Sequence, residues 1–164
     1  MLVVADTTSL RYLILIAHAD VLHTLYGRVL IPQAVFDELQ HVRTPPAVHT
    51  WLAQLPQWLE IHQVHDAPDE TLQHLDPGEH EAIVLAQALH ADLLLMDDWD
   101  GRQEAERRHL AVTGTLGVLE RASIRGLLDL PTAIARLQMT NFYVRDEIVQ
   151  ELLARDSARK STQG

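Results

Sequence analysis

Short apolar runs alternate along the first two thirds of the chain with segments whose apolar residues recur every three or four positions. The unbroken runs Leu2-Val3-Val4-Ala5, Val29-Leu30-Ile31 and Leu93-Leu94-Leu95-Met96 predict strands covered on both faces, as in a parallel sheet. Further strands are expected near 58–63 and 110–113. The intervening periodicity predicts helices over 9–18, 32–42, 47–54, 78–90 and 101–108. Pro32 suits a first helical turn, Pro45-Pro46 stops one helix and starts the next, and Asp76-Pro77-Gly78 turns into another. Beyond Gly114 the pattern is helical only, over 114–124, 131–138 and 145–154, with Gly126 as a helix C-cap. This alternation predicts an α/β domain around a central parallel sheet with helical C-terminal packing. A single domain over 1–155 is expected, followed by a polar tail over 156–164 that frays.

Against that pattern, four acids stand out: Asp6 and Asp97 end apolar runs, and Glu38 and Glu79 lie in or beside the apolar stripes of two predicted helices. A carboxylate beside a core is costly unless something positive neutralises it, and for clustered oxygens that agent is commonly a divalent ion. In an open parallel sheet, ligands bind outside the carboxyl ends of the strands where strand order reverses. If the first and fourth strands meet there, Asp6 and Asp97 converge. Each acid also has a plain structural explanation. Asp6 before Thr7-Thr8-Ser9 reads equally as a turn or helix cap, and Glu38 as a solvated helix residue. Glu79 reads as a first-turn acid opposing the helix dipole, with Glu81 its rival for the crevice. Asp97, Asp98 and Asp100 read as a solvated acidic turn. Together they argue more strongly for a site than any does alone.

Composition narrows the chemistry. With 164 residues, 47% of them hydrophobic, the chain can bury a sizeable core. Its formal charge of −10 argues against nucleic-acid binding through a broad basic surface. It leaves room for an enzyme that meets phosphate through metal and a local basic rim. There is no cysteine, so thiolate zinc sites and cysteine nucleophiles are excluded. Of the 10 histidines, none forms a His-Glu-x-x-His pair. The N-terminus shows no secretory leader, and the apolar segment Leu10 to Ala17 is too short to span a bilayer and is interrupted by Arg11. A cytoplasmic protein without membrane contact is expected.

The stretches Val3-Val4-Ala5-Asp6-Thr7-Thr8-Ser9-Leu10, Val29 to Leu39, Gly78-Glu79-His80-Glu81-Ala82-Ile83, Leu93 to Arg102 and Val112 to Leu119 carry a resemblance. In their order and spacing the chain resembles PIN-domain ribonucleases, in particular the VapC-like branch of prokaryotic proteins called DUF3368. The resemblance implies a three-layer α/β/α fold with strand order 3-2-1-4-5. It implies that Asp6, Glu38, Glu79 and Asp97 form the family's acidic quartet holding Mg²⁺ or Mn²⁺, with Asp100 a further acid near the metal. Thr7 or Ser9 corresponds to the hydroxyl that supports the first Asp. Many of the toxins carry Asp where Glu79 stands. The implied activity is metal-dependent hydrolysis of RNA, by the toxin of a toxin–antitoxin pair with a cognate antitoxin protein as partner.

The remaining signals are two-sided. Arg102, Arg107 and Arg108 either guide RNA phosphates or form a helix end balanced by Glu104 and Glu106. Trp99 stacks on a base or is buried against a neighbour. Thr113 and Thr115 flank Gly114 at a turn that either presents hydroxyls to the crevice or serves close packing. The stripe Leu10, Leu13, Ile14 and Ala17 is core, or else the surface of a homodimer. The alternative to an endoribonuclease is a catalytically weak PIN-like binding module acting through protein contacts. A metal-assisted phosphatase ranks below both, because Asp6-Thr7-Thr8 lacks a second Asp two residues on.

Overall fold

The computed structural model describes residues 1–163. They form two compact units, Met1–Thr115 and the residues from Leu116 onward. The first unit holds strands β1 (Leu2–Ala5), β2 (Arg28–Pro32), β3 (Leu59–His62), β4 (Leu93–Leu95) and β5 (Val112–Thr113). All pair in parallel, in the order β3-β2-β1-β4-β5. Flanking them are α1 (Thr7–Leu15), α2 (Val21–Tyr26), α3 (Gln33–Leu39), α4 (Pro46–Leu52), α5 (Pro77–Ala88) and α6 (Trp99–Arg107). This is the expected α/β fold and strand order.

The middle of the sheet is apolar on both faces, which is why β1, β2 and β4 carry unbroken apolar runs. Val4 is in register with Leu30 on one side and Leu94 on the other. These three form a buried row with Ile83, Ala82 and Ala86 of α5. The two alanines let α5 lie close to the sheet. On α1, Leu10, Leu13 and Ile14 are buried, so the apolar stripe is core; Ala17 is exposed, just past the helix, in a left-handed conformation.

Some boundaries differ from the sequence reading. Pro32 ends β2 and caps α3 from outside, and α3 stops at Leu39, leaving Val42 exposed instead of on its stripe. Helix α2 and a 3₁₀ turn at Glu70–Leu72 were not anticipated.

From Thr115 onward the chain is helical: α7 (Thr115–Ile124), α8 (Leu130–Gln138) and α9 (Asp146–Gln163). Gly126 adopts a left-handed φ of 71°, and Leu127 N–H donates to the Ala122 carbonyl, so the expected helix stop is present. The polar tail is a correction. Residues 156–163 continue α9, and Gly164 lies outside the described residues. Asp156 is buried in the second unit, accepting from Ser123 Oγ at 2.7 Å, Arg159 at 2.8 Å and Lys160 Nζ at 2.7 Å. These partners satisfy a charge that a frayed tail would leave in water.

Candidate active site

Strand order reverses at β1, whose two neighbours are β2 and β4. Asp6 follows β1 there, and its N–H donates to the Leu95 carbonyl at 3.0 Å, extending the ladder one residue past the strand. It caps α1, its Oδ1 accepting from Ser9 N–H at 3.0 Å. The capping explanation is therefore correct as far as it goes. It leaves Oδ2, which is buried and has no hydrogen-bond partner. Burial holds the Asp6 carboxyl well above the usual range; Asp97 and Glu79 add to this, and hydrogen bonds from Ser9 oppose it.

Asp97 follows β4 and is the most tightly held of the acids. Thr115 N–H donates to Oδ1 at 2.7 Å, and Thr115 Oγ1 donates to Oδ2 at 2.6 Å. Ser9 Oγ donates to the same Oδ2 at 3.0 Å, so Ser9 ties Asp6 to Asp97. Gly114 makes the approach possible: a Cβ there would lie 2.6 Å from Asp97 Oδ1 and 2.9 Å from an Arg102 nitrogen. That places Arg102 beside Asp97.

Glu38, on α3, is fixed by two donors. Thr7 Oγ1 donates to Oε2, and Gly78 N–H donates to Oε1 at 2.8 Å. Gly78 is again a close approach, since a Cβ would fall 2.5 Å from Glu38 Oε2. Of Thr7 and Ser9, one of which was expected to support the first Asp, Ser9 holds Asp6 and bridges to Asp97, while the Thr7 hydroxyl holds Glu38.

Glu79 sits in the first turn of α5 and forms a capping box with Asp76, accepting from Asp76 N–H at 3.3 Å. Burial, then Asp98, Asp76 and Glu38, push its carboxyl up to about 7, against the opposing Asp76 N–H bond. Glu81 turns elsewhere, accepting from Ala34 N–H at 2.9 Å in the first turn of α3. It braces two helices.

Asp6, Glu38 and Glu79 line one crevice of about 390 Å³, together with Thr7, Thr8, Arg11, His41, Arg43, Thr44 and Asp76. Asp97 does not line it and joins through Ser9. Asp100 is exposed in the first turn of α6, away from the crevice lining. Among the described residues, no three His, Asp or Glu side chains already converge closely enough to hold a metal ion. The donor set still fits one in kind: oxygens only, an orphaned buried Oδ2, and mutual repulsion that a cation relieves.

The other sequence candidates separate. Arg107 and Arg108 both pair with Glu104, and Arg108 also with Asp69, so they balance their own surroundings. His80 Nε2 accepts from Asp69 N–H at 3.1 Å, beside a different cavity. Trp99 is exposed at the start of α6. Thr113 donates no hydroxyl to the acids; its carbonyl accepts from Met96 N–H, and Thr115 is the residue that reaches Asp97. Gly78 was not among the site residues read from sequence, whereas Thr115, at the Gly114 turn, was one of the two hydroxyls that reading offered to the crevice.

Comparison with known proteins agrees with this fold. The family model DUF3368, described as a PIN domain, matches residues 2–158. A solved PilT N-terminus domain protein from the hyperthermophilic archaeon Sulfolobus solfataricus P2 superposes with a TM-score of 0.50 at 14% identity, over 88% of this chain and 100% of that one. At that identity the likeness is one of fold. No curated protein matches the chain.

Proposed function

The chain belongs to the DUF3368 family of PIN domains, and we propose from this premise that it is a metal-dependent endoribonuclease acting at the crevice of Asp6, Glu38 and Glu79. PIN domains are generally nucleases and typically use divalent metals. The observation that carries the reading is Asp6: a carboxylate at the strand-order reversal, buried, repelled by Asp97 and Glu79, with one oxygen unpartnered. Nothing in a purely structural role requires that arrangement.

Asp6, Glu38, Glu79 and Asp97 would hold Mg²⁺ or Mn²⁺, and the ion when bound would activate water and stabilise charge on the phosphate. The chain's own groups prepare the carboxylates. Thr7 and Gly78 orient Glu38, and Thr115 and Ser9 orient Asp97, so neither acid must be ordered when the ion arrives. Glu79, with its carboxyl at about 7, holds a proton for part of the time at neutral pH and releases it to become a ligand.

The biological setting that fits is a cytoplasmic toxin held by a cognate antitoxin protein, acting on RNA. No helix among the described residues is long and apolar enough to cross a membrane. One observation favours the second reading, a weak or inactive binding module: among the described residues, no three acids stand close enough to hold an ion. The test is cleavage of single-stranded RNA with Mn²⁺ by the native chain and by Asp6→Asn. Cleavage lost in Asp6→Asn supports the nuclease. No cleavage by well-folded native protein supports the binding module. Growth slowed by the native chain and not by Asp6→Asn supports the toxin role.

A further inference from the structure

The crevice that holds the acids also holds cations, and they are not neutralised by them. Arg11 lies on α1, three and four residues after Thr8 and Thr7, and all three line the crevice. Its Nε is buried with no hydrogen-bond partner, and its guanidinium carbon sits 5.7 Å from the centre of the Tyr12 ring. Arg43 and His41 line the same crevice from the turn after α3. That turn is fixed: Thr44 N–H donates to the His41 carbonyl at 2.9 Å, and Thr44 Oγ1 to the Glu38 carbonyl at 3.4 Å. Arg43 N–H donates to His41 Nδ1 at 3.2 Å, so the neutral ring carries its proton on Nε2 as a donor.

The contrast with five other arginines is informative. Arg28, Arg107, Arg108, Arg155 and Arg159 each pair with a carboxylate. Arg11 and Arg43 share a crevice with Asp6, Glu38, Asp76 and Glu79, and neither is in ion-pair contact with any of them among the described residues. In a chain of charge −10, Arg11 and Arg43 leave positive charge without an ion pair inside a crevice lined by acids.

A metal-binding acidic crevice repels the phosphodiester it is to cleave unless cations stand beside it. We propose that Arg11, with Arg43 and His41, forms the seat for a backbone phosphate of single-stranded RNA next to the cleaved bond. The guanidinium fork gives Arg11 parallel donors for phosphate oxygens. Thr8 adds a hydroxyl to the same lining. From sequence, Arg102, Arg107 and Arg108 read either as guides for RNA phosphates or as a balanced helix end; for Arg107 and Arg108 the structure favours the second, pairing both with Glu104. The inference rests on the nuclease reading for its substrate, and its test separates the two.

Binding of a fluorescently labelled single-stranded RNA is measured by anisotropy in the Asp6→Asn background, which stops turnover. Adding Arg11→Gln should weaken binding about tenfold, the loss of one charge-assisted contact. It should also lower the slope of log affinity against log salt by about 0.7, one phosphate contact on a single strand. Arg11→Lys should recover the salt slope more than the affinity. Arg43→Gln, at an exposed turn where folding is not at risk, should act in the same direction. Arg107→Gln, paired with Glu104 on α6, should change neither quantity. In the active chain, Arg11→Gln should raise KM about tenfold with kcat nearly kept. Its melting-temperature rise on adding Mn²⁺ should equal that of the native chain. Equal losses in Arg11→Gln and Arg107→Gln, or unchanged binding in both Arg11→Gln and Arg43→Gln, would overturn the seat. RNA bound through Arg11 but never cleaved by the native chain overturns the nuclease reading and leaves the seat standing.

Discussion

Thr115 holds both carboxylate oxygens of Asp97, its N–H on Oδ1 at 2.7 Å and its hydroxyl on Oδ2 at 2.6 Å. Asp97 is therefore anchored as well as repelled. Repulsion alone would let Asp97→Asn stabilise the metal-free protein; with these bonds, that substitution should lower stability instead. The clean probe is Thr115→Val, which keeps the N–H and the volume and removes the hydroxyl. It should cost about 1 kcal/mol, read as a lower urea midpoint. RNA cleavage should fall with it, and Thr115→Ser should restore both. A Thr115→Val chain with native stability and native cleavage would show that Asp97 needs no second donor.

Gly78 makes a sharper steric prediction. It sits in the first turn of α5, where Glu38 and Thr7 come so close that any Cβ must displace them. Alanine is otherwise the better helix former by about 1 kcal/mol. Gly78→Ala should nevertheless lose about 1–3 kcal/mol, as overpacked sites do, and most of the cleavage. A stabilised Gly78→Ala with activity intact would mean that the Glu38 carboxylate is free to move aside.

Asp6 is the acid at which relief of repulsion should show. Its Oδ2 is buried and unpartnered, and burial, Asp97 and Glu79 all disfavour its charge. Asp6→Asn should raise the metal-free melting temperature by roughly 2–4 °C, the equivalent of about 1 kcal/mol in a chain of this size. Mn²⁺ at a hundredfold excess over Kd should add roughly 2.7 kcal/mol to the native protein and little to the variant. An undiminished Mn²⁺ response in Asp6→Asn would remove Asp6 from the metal site.

How far these features could be read in advance depends on how local their cause is. The strands β1, β2 and β4 were legible because burial on both faces leaves unbroken apolar runs, and Asp6 and Asp97 because they end two of those runs. Helix α2 was not, since its six residues carry exposed His23 and Thr24 and are too few to establish a period. The extension of α9 past Ala154 was hidden by its polarity. Its signal was the spacing of Asp156, Arg159 and Lys160, three and four residues apart. The Thr7–Glu38 bond joins positions 31 residues apart, and only the packing of α1 and α3 brings them together. Arg11 read as a mere interruption of an apolar run, because its lack of a carboxylate partner is visible only in three dimensions.

In the second unit, Asp156 should be a stability residue with no part in catalysis. Its burial disfavours the charge, but Lys160, Ser123 and Arg159 more than offset this and hold its carboxyl below the usual value. That contribution is present above the unfolded value of 3.8 and lost as pH falls through the lower folded value. Asp156→Ala should cost about 2 kcal/mol at pH 7 by losing charge-assisted bonds, and the difference from the native chain should shrink in acid. RNA cleavage well below the melting temperature should be unchanged. A large loss of kcat at full folding would give the second unit a role it lacks here.

Glu79 supplies the opposite pH signature. Its unfolded carboxyl titrates at 4.5 and its folded one at about 7, so between those values the folded chain binds more protons. Stability then falls as pH rises through that window, because the unfolded state binds fewer protons there. In the presence of a chelator, the native protein should melt at a lower temperature at pH 7.5 than at pH 5.5. Glu79→Gln is the control: glutamine keeps the capping box with Asp76 and removes the titration. Its melting temperature should change less across the same range, the residual slope coming from Asp6. Adding Mn²⁺ to the native protein should reverse the trend, since binding releases the Glu79 proton and strengthens as pH rises. Parallel pH profiles for native and Glu79→Gln proteins, with and without Mn²⁺, would reduce Glu79 to a helix cap and remove it from the site.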